Sequence, residues 1–277
     1  MADLVEIGKR GVQSYRRALG VTGQNIANAN TEGYNRRDAK LAEVAATQGD
    51  ILSVSDQAGL GVRVENIRRA FDKLIVEKTN TATASYENAR ALNEKLVSLE
   101  KLLLPGEHTL SAYVQNFFDG LNAIQQAPTD LGARQLAIEY GSLLTDGITG
   151  LATNLKDFQN ELKKEAQLVT QALNTNLDGL LDIQKKLISA GGSGSASNAL
   201  LDQRDLLINE LSSLVGISVD YKERGSVQIS LGPNLGKEKL LDLFDVNKLS
   251  VDPASDRLKY ALQTGSQLNA TNQVTNG

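Results

Sequence analysis

The chain has 277 residues, with 29 Lys and Arg against 33 Asp and Glu, a formal charge of −4. That length suits one large domain or two or three smaller ones, and the weakly acidic balance argues against the basic stripe that bulk nucleic-acid binding needs. There is no Cys and one His, His108, which excludes disulfides, thiolate zinc sites, iron–sulfur clusters, thiol nucleophiles and the usual multi-histidine metal sites. Aromatic residues are 4% and Trp is absent, so thin Leu- and Ala-rich helical layers suit the composition better than a wide globular core. Asp3, Glu6, Lys9 and Arg10 break up the N-terminus, which does not read as a signal peptide. No run approaches the roughly 18 apolar residues of a membrane span, so no membrane insertion is expected.

Residues 3–28 read as a first helix with Leu4, Ile7, Val12, Tyr15, Leu19, Thr22 and Ile26 on one stripe. Gly8, Gly11, Gly20 and Gly23 weaken it, each costing about 1 kcal/mol relative to Ala. Such a helix is marginal alone. It is either a frayed terminal helix docked on its own domain or a terminus that folds when subunits assemble. The stretch NANTEGYNRR, 28–37, then stops it, with Gly33 free to take positive φ. Residues 38–68 have no helical period, and Val62, Val64 and Ile67 suggest a short extended segment.

From Phe71 the pattern changes. Phe71, Ile75, Lys78, Ala82, Ser85, Ala89, Leu92, Leu96, Leu99 and Leu103 alternate four and three apart, the spacing of a coiled-coil seam, until Pro105-Gly106 breaks it. The small or polar first half of that seam points to a thinner or less permanent contact than its leucine half. A short helix over 109–126 carries Tyr113, Val114, Phe117, Leu121 and Ile124. After Pro128, either Thr129 or Asp130 is placed to cap the next helix. That helix is long, about 131–189, with Leu144, Ile148, Leu151, Leu155, Phe158, Leu162, Ala166, Leu173, Leu177, Leu180 and Leu187 along its seam. Unbroken it would span roughly 85 Å, although Gly141, Gly147 and Gly150 threaten its start. A glycine–serine turn at 191–195 leads to a last helix over 198–215, whose face includes Leu207, Ile208 and Leu211. At Gly216 the period becomes two: Ile217, Val219 and Tyr221, a turn at Glu223-Arg224-Gly225, then Val227, Ile229 and Leu231 predict a hairpin. Leu258, Tyr260 and Leu262 suggest another strand, and the polar tail suggests none. So thin a sheet must be incomplete or lean on the helices. The expected fold is mainly α: an elongated antiparallel helical rod with a small antiparallel β region near the C-terminus.

No catalytic constellation appears. His108 beside Glu107 falls in a loop-like stretch after Pro105-Gly106 and lacks an activated nucleophile. Gly59-Leu60-Gly61 lacks the third glycine of a dinucleotide loop. Asp202 and Asp205 share one helix without a matching second pair, and Asp202 reads better as a favourable charge near a helix start than as a ligand. No enzyme activity, metal or cofactor is expected. Three basic pairs, Arg16-Arg17, Arg36-Arg37 and Arg68-Arg69, read as solvated surface or as partners for acidic patches on neighbouring subunits.

The stretch Val21-Thr22-Gly23-Gln24-Asn25-Ile26-Ala27-Asn28-Ala29-Asn30-Thr31-Glu32-Gly33-Tyr34-Asn35-Arg36 resembles the signature of bacterial flagellar axial proteins. Four later stretches resemble the hook-associated protein 1 family within that group. They are Gly61-Val62-Arg63-Val64-Glu65-Asn66-Ile67-Arg68-Arg69 before Phe71-Asp72; Phe117-Phe118-Asp119-Gly120-Leu121 with Ala127-Pro128-Thr129-Asp130; Asn198-Ala199-Leu200-Leu201-Asp202-Gln203-Arg204-Asp205; and Val215-Gly216-Ile217-Ser218-Val219.

The resemblance implies a structural subunit, exported through the flagellar secretion apparatus without a cleaved signal and placed at the hook–filament junction. Its implied partners are copies of itself in a ring, the hook protein, a second hook-associated protein or other filament-side subunits, and the export apparatus with its chaperone. It implies an inner-layer helix over 1–30, a connector over 31–70, a helical rod over 71–215 and the start of an outer β domain over 216–277. Asn25, Asn28, Asn30, Thr31, Gly33, Tyr34 and Arg36 are the candidate assembly motif, and Asp202, Gln203, Arg204 and Asp205 the later family motif. The candidate rod core is Leu92, Leu96, Leu99, Leu103, Phe117, Leu151, Leu155, Phe158, Leu162 and Leu211. The family's hydrophobic C-terminal heptads have no counterpart after Gly265, which reads as a chain cut within the outer domain or a divergent short member. Another axial subunit, such as a hook or distal rod protein, and a soluble coiled-coil adaptor are the alternatives.

Overall fold

A computed structural model describes residues 4–44, 61–103, 110–191, 195–232, 238–251, 260–264 and 267–271. His108, Pro105-Gly106, Gly59-Leu60 and Leu258 lie outside them.

Helix α1 spans Leu4–Ala27 and leads into a two-stranded antiparallel hairpin, β1 (Arg37–Glu43) with β2 (Val62–Arg69). Four further helices follow: α2 (Lys73–Leu103), α3 (Leu110–Gln126), α4 (Leu131–Ser189) and α5 (Ser195–Leu214). Strands β3 (Ile217–Tyr221), β4 (Val227–Leu231), β5 (Lys239–Asp242) and β6 (Asp245–Val246) form one antiparallel sheet in chain order. Strands β7 (Lys248–Val251), β8 (Tyr260–Thr264) and β9 (Gln267–Thr271) form a second. The fold is mainly α, an elongated antiparallel bundle of long helices with a small antiparallel β region near the C-terminus.

Helix α4 runs unbroken for 59 residues, about 88 Å at 1.5 Å per residue. The Asp130 carboxylate caps it, accepting from Gly132 N at 2.8 Å. Gly141 and Gly147 do not break it. A Cβ at Gly147 would lie 2.6 Å from Tyr113 Cδ2, and one at Gly141 3.4 Å from Phe117 Cε2. On α3, a Cβ at Gly120 would lie 3.1 Å from the Ala137 Cα. The contacts 113 with 147, 117 with 141 and 120 with 137 run in opposite order, so α3 lies antiparallel on the first half of α4. The glycines are there because two backbones and two aromatic rings share that space.

The closed core sits lower down. Leu173, Leu177 and Leu180 of α4 and Ile208 and Leu211 of α5 pack with Val219, Val227, Ile229, Leu240, Leu241, Leu249 and Leu262 of the β region. The β region therefore leans on the helices, and side-chain amides of α4 fasten it. Asn174 donates to Leu249 O at 2.8 Å and accepts from Leu249 N at 2.9 Å, filling a strand's edge as a peptide group would. The buried Gln184 accepts from Val227 N at 2.8 Å and donates to Leu243 O.

The β3–β4 hairpin pairs Ile217 with Leu231, Val219 with Ile229 and Tyr221 with Val227, in the register the alternation predicts. Strands β1, β5, β6, β7 and β9 escaped the sequence reading; the last four are five residues or shorter, and β9 lies in the polar tail, so none of those four carries a usable alternation.

The upper rod departs from the predicted seams. Leu92, Leu96 and Leu103 of α2 are 58%, 54% and 45% exposed, and Leu155 of α4 is 36% exposed. They are not core in this chain. Helix α2 turns a different stripe inward, with Asn80 buried and Val76, Ala84, Asn88 and Leu102 half-buried, while Leu99 of the predicted seam is also half-buried. Phe117, Leu151, Phe158 and Leu162 are half-buried, and Leu211 is fully buried. Among the described residues beyond the closed core, α3 and the first half of α4 form the close helix pair, and two helices cannot enclose both apolar stripes.

Candidate assembly site

Helix α1 docks by a stripe the hydrophobic pattern did not mark. Gly11, Ser14, Ala18, Val21, Asn25 and Asn28 turn inward, three or four apart, with Ser14 and Val21 buried. Their small size brings the helix close to the hairpin, and Ser14 Oγ donates to Val62 O at 2.9 Å. Most of the predicted stripe faces away: Leu4, Val12, Tyr15, Leu19 and Ile26 are exposed, while Ile7 is half-buried beside Gly61.

The assembly motif divides in the same way. Asn25 donates from Nδ2 to Arg37 O at 2.7 Å, while its Oδ1 accepts from Arg37 N at 2.9 Å and Tyr34 Oη at 2.8 Å. It stitches α1 to β1, so Asn25 is part of what holds the chain's own fold together. Thr31 Oγ1 donates to Asn28 Oδ1 at 3.2 Å, closing the turn after α1. Gly33 has φ +76°, and a Cβ there would sit 3.2 Å from Leu206 Cβ of α5, so both backbone and space call for glycine. Asn30 and Arg36 are exposed, Arg36 with Asp38 at 3.3 Å.

The hairpin gathers two of the arginines. Register shifts between Lys40 and Leu41, where Asn66 and Val64 are their partners, so Glu65 is an extra residue. This bulge resets the alternation and turns Val62, Val64, Ile67 and Arg69 to one face. Arg37 stands directly opposite Arg69. Like charges placed so are destabilising unless compensated, and α5 supplies the compensation. Arg37 Nη2 lies 2.9 Å from Asp202 Oδ2, Arg69 Nε 3.3 Å from Asp202 Oδ1, and Arg69 Nη2 contacts Asp205. Asn35 Nδ2 donates to Asp202 Oδ1 at 3.1 Å. Arg204 donates from Nε to Asp205 Oδ1 at 2.8 Å and from Nη1 to Gly225 O at 2.8 Å, tying the β3–β4 turn to the same cluster. Gly225 has φ +78°, and a Cβ there would meet Leu201 Cδ2 at 2.7 Å.

These five charged side chains are only 5–12% exposed. Rings cover them: the Arg69 guanidinium sits 5.2 Å from the Phe71 centroid, Arg204 5.0 Å from Tyr221, and Arg37 5.0 Å from Tyr34. Phe71 and Tyr221 meet edge-on at 5.3 Å. Burial, with the Asp205 charge adding to it, pushes the Tyr221 hydroxyl up to about 12.

Two expectations change here. Asp202 is not a charge on a helix dipole but the acceptor for Arg37 and Asn35 and an ion-pair partner of Arg69. Of the basic pairs, Arg37 and Arg69 are neither solvated nor free for a neighbour, because acidic residues of their own α5 take them. Arg16, Arg17, Arg36 and Arg68 remain exposed, as does Gln203. The roles of Asn35, Phe71 and Tyr221 were not foreseen. The only advance signal was two acidic residues on one helix and two basic pairs flanking one extended segment. Among the described residues no group of three His, Cys, Asp or Glu could hold a metal, and no helix is long and apolar enough to cross a membrane.

Comparison with known proteins fits this construction. Residues 96–277 match the flagellar hook-associated protein FlgK helical domain, and residues 6–35 match the flagella basal body rod protein family. Flagellar hook-associated protein 1 of Escherichia coli (strain K12) is 24% identical over all of this chain and 50% of its own length. That of Bacillus subtilis (strain 168) is 27% identical over 92% of this chain and 51% of its own. The chain thus spans about half the length of the curated relatives it matches. A solved structure of the flagellar hook junction protein FlgK from Burkholderia pseudomallei shares the fold, with a TM-score of 0.61 at 18% identity over 73% of this chain and 35% of that one. With more than half of its residues matched, the chain belongs to the family of the flagellar hook-associated protein FlgK helical domain.

Proposed function

We propose that the chain is a non-enzymatic building block of the bacterial flagellum, working at the junction between hook and filament. The observation that carries this is unpartnered surface. Among the described residues, Val12, Tyr15, Leu19 and Ile26 on α1, and Leu110, Val114, Phe118 and Leu121 on α3, recur at helical spacing on open apolar faces.

In this reading residues 1–30 form an inner layer, 31–70 a connector, 71–215 the rod and 216–277 the beginning of an outer domain. The partners are copies of the same chain in a ring, the hook protein on one side and a second hook-associated protein or filament-side subunit on the other. Export apparatus and chaperone handle the chain before assembly. The arginine–aspartate cluster holds connector and rod at one angle, so that the open faces are presented together. Imaging a labelled copy on flagella of the source organism tests the proposal. Signal confined to the boundary between hook and filament is expected; signal along the filament or only inside the cell overturns it.

A further inference from the structure

Helix α1 and the β1–β2 hairpin are bonded into one body, through Ser14 to Val62 O and through Asn25 to both backbone groups of Arg37. The chain leaves this body once, along Ala70-Phe71-Asp72. On the near side Ala70 N donates to Arg36 O at 2.8 Å. On the far side Phe71 meets Tyr221 edge-on, and Asp72 Oδ1 caps α2 by accepting from Leu74 N at 2.9 Å and Ile75 N at 3.2 Å. Each end of this tether is fixed to a different body, which leaves a pivot between Ala70 and Phe71.

The seat of this body on α5 is mostly polar. Asn35, Arg37 and Arg69 meet Asp202 and Asp205, Asn198 Nδ2 donates to Ile67 O at 3.0 Å, and Gly33 lies against Leu206. Among the described residues, none of 4–69 belongs to the closed apolar core. The seat is also unbalanced. Three buried guanidiniums, of Arg37, Arg69 and Arg204, share two carboxylates, and Arg37 Nε and Arg69 Nη1 are buried donors without an acceptor among the described residues.

Buried ion pairs add little net stability, because lost hydration offsets their attraction, and unmet donors lower it further. Lifting the body off α5 gives those donors water, separates Arg37 and Arg69 from a shared acceptor and takes nothing out of the leucine core. Sliding along α5 is no alternative. On the same face, a turn to either side of Asp202 and Asp205, stand the uncharged Asn198 and Asn209. The body therefore has one seated register.

We infer that Asp202 and Asp205 form a latch: when it opens, α1 and the hairpin swing together about the Ala70-Phe71 tether while both bodies stay folded. The angle described above is the latched one. This device belongs to the isolated chain, so it is tested apart from the assembly reading.

The chain has no Cys, so pairs of introduced cysteines carry spin labels whose separation is measured on the isolated protein. Arg16→Cys with Lys186→Cys spans the joint, Lys9→Cys with Arg36→Cys lies inside the first body, and Tyr86→Cys with Lys186→Cys spans the rod. All five positions are exposed. The joint pair is expected to give one narrow distance, and Asp202→Asn to deplete that narrow population by roughly tenfold or more, the scale of a broken buried charge pair acting on a two-state balance. The other two pairs are expected to stay narrow in the same variant. A joint distance that stays narrow in Asp202→Asn overturns the latch, and one already broad in the unsubstituted chain overturns the seat. Broadening of either internal pair in Asp202→Asn, or failure of that variant to fold, shows the cluster to be part of one cooperative fold and overturns the separate swing.

Discussion

Asp202 shows how one carboxylate can decide a geometry. It accepts from Arg37 and Asn35 and pairs with the charge of Arg69, all from the β1–β2 hairpin and the turn before it, while itself sitting on α5. Removing its charge leaves two buried guanidiniums facing each other across the hairpin. Asp202→Asn is expected to cost about 3–5 kcal/mol, the penalty for breaking a buried charge pair, read as a lower denaturation midpoint. A loss below 1 kcal/mol on the scale of surface pairs would show that the cluster is solvated. Tyr221, beside it, carries a pH signature. Its hydroxyl is held near 12 in the folded chain and near 10 unfolded. The folded state then binds more protons between those values, so its stabilising contribution is whole below pH 10 and is lost as pH rises through about 12. Denaturant titrations should show stability falling over that window and a shallower fall in Tyr221→Phe.

Helix α4 is held by different means along its length. Its second half is closed by leucines, and Leu177 is fully buried. Leu177→Ala should cost about 2–5 kcal/mol. The same change at Leu96, 54% exposed, or Leu155, 36% exposed, should cost well under that in the isolated chain. Its first half is set by close approach to α3. Gly147→Ala drives a methyl into the Tyr113 ring and should destabilise by about 1–3 kcal/mol. At Gly150, where nothing lies within 4 Å of the new methyl, alanine should stabilise by up to about 1 kcal/mol. Thermal melts of the two variants moving in the same direction would refute the packing of α3 on α4.

For the whole molecule, the exposed stripe of α1 separates folding from assembly. Val12, Tyr15, Leu19 and Ile26 contact nothing that the fold requires, whereas Ser14, Val21 and Asn25 on the opposite stripe hold α1 to its hairpin. The double substitution Val12→Ser with Leu19→Ser should leave the melting temperature nearly unchanged and abolish incorporation into flagella, measured by swimming and by the amount of labelled protein on purified filaments. Normal incorporation would mean that this stripe faces solvent in the assembly too.

Much of the chain was legible from its residues alone. The long helices, a cap at Thr129 or Asp130, the break at Gly216 and the β3–β4 register all follow from periodicity, capping chemistry and two-fold alternation, which are local and written in neighbouring residues. The family signature was legible too, because its residues are contiguous. What could not be read was which stripe of each helix is covered. Helices α1 and α2 each carry two plausible stripes, and apolar spacing marks the one that waits for a neighbour as readily as the one its own chain buries. Nor could the union of Arg37 and Arg69 with Asp202 and Asp205 be read, since well over a hundred residues separate them and only the bulge at Glu65, together with the packing of the connector on α5, brings them to one place. Spacing along a chain constrains what each element offers; which offer is taken depends on the surface that arrives opposite it, and that is decided in three dimensions.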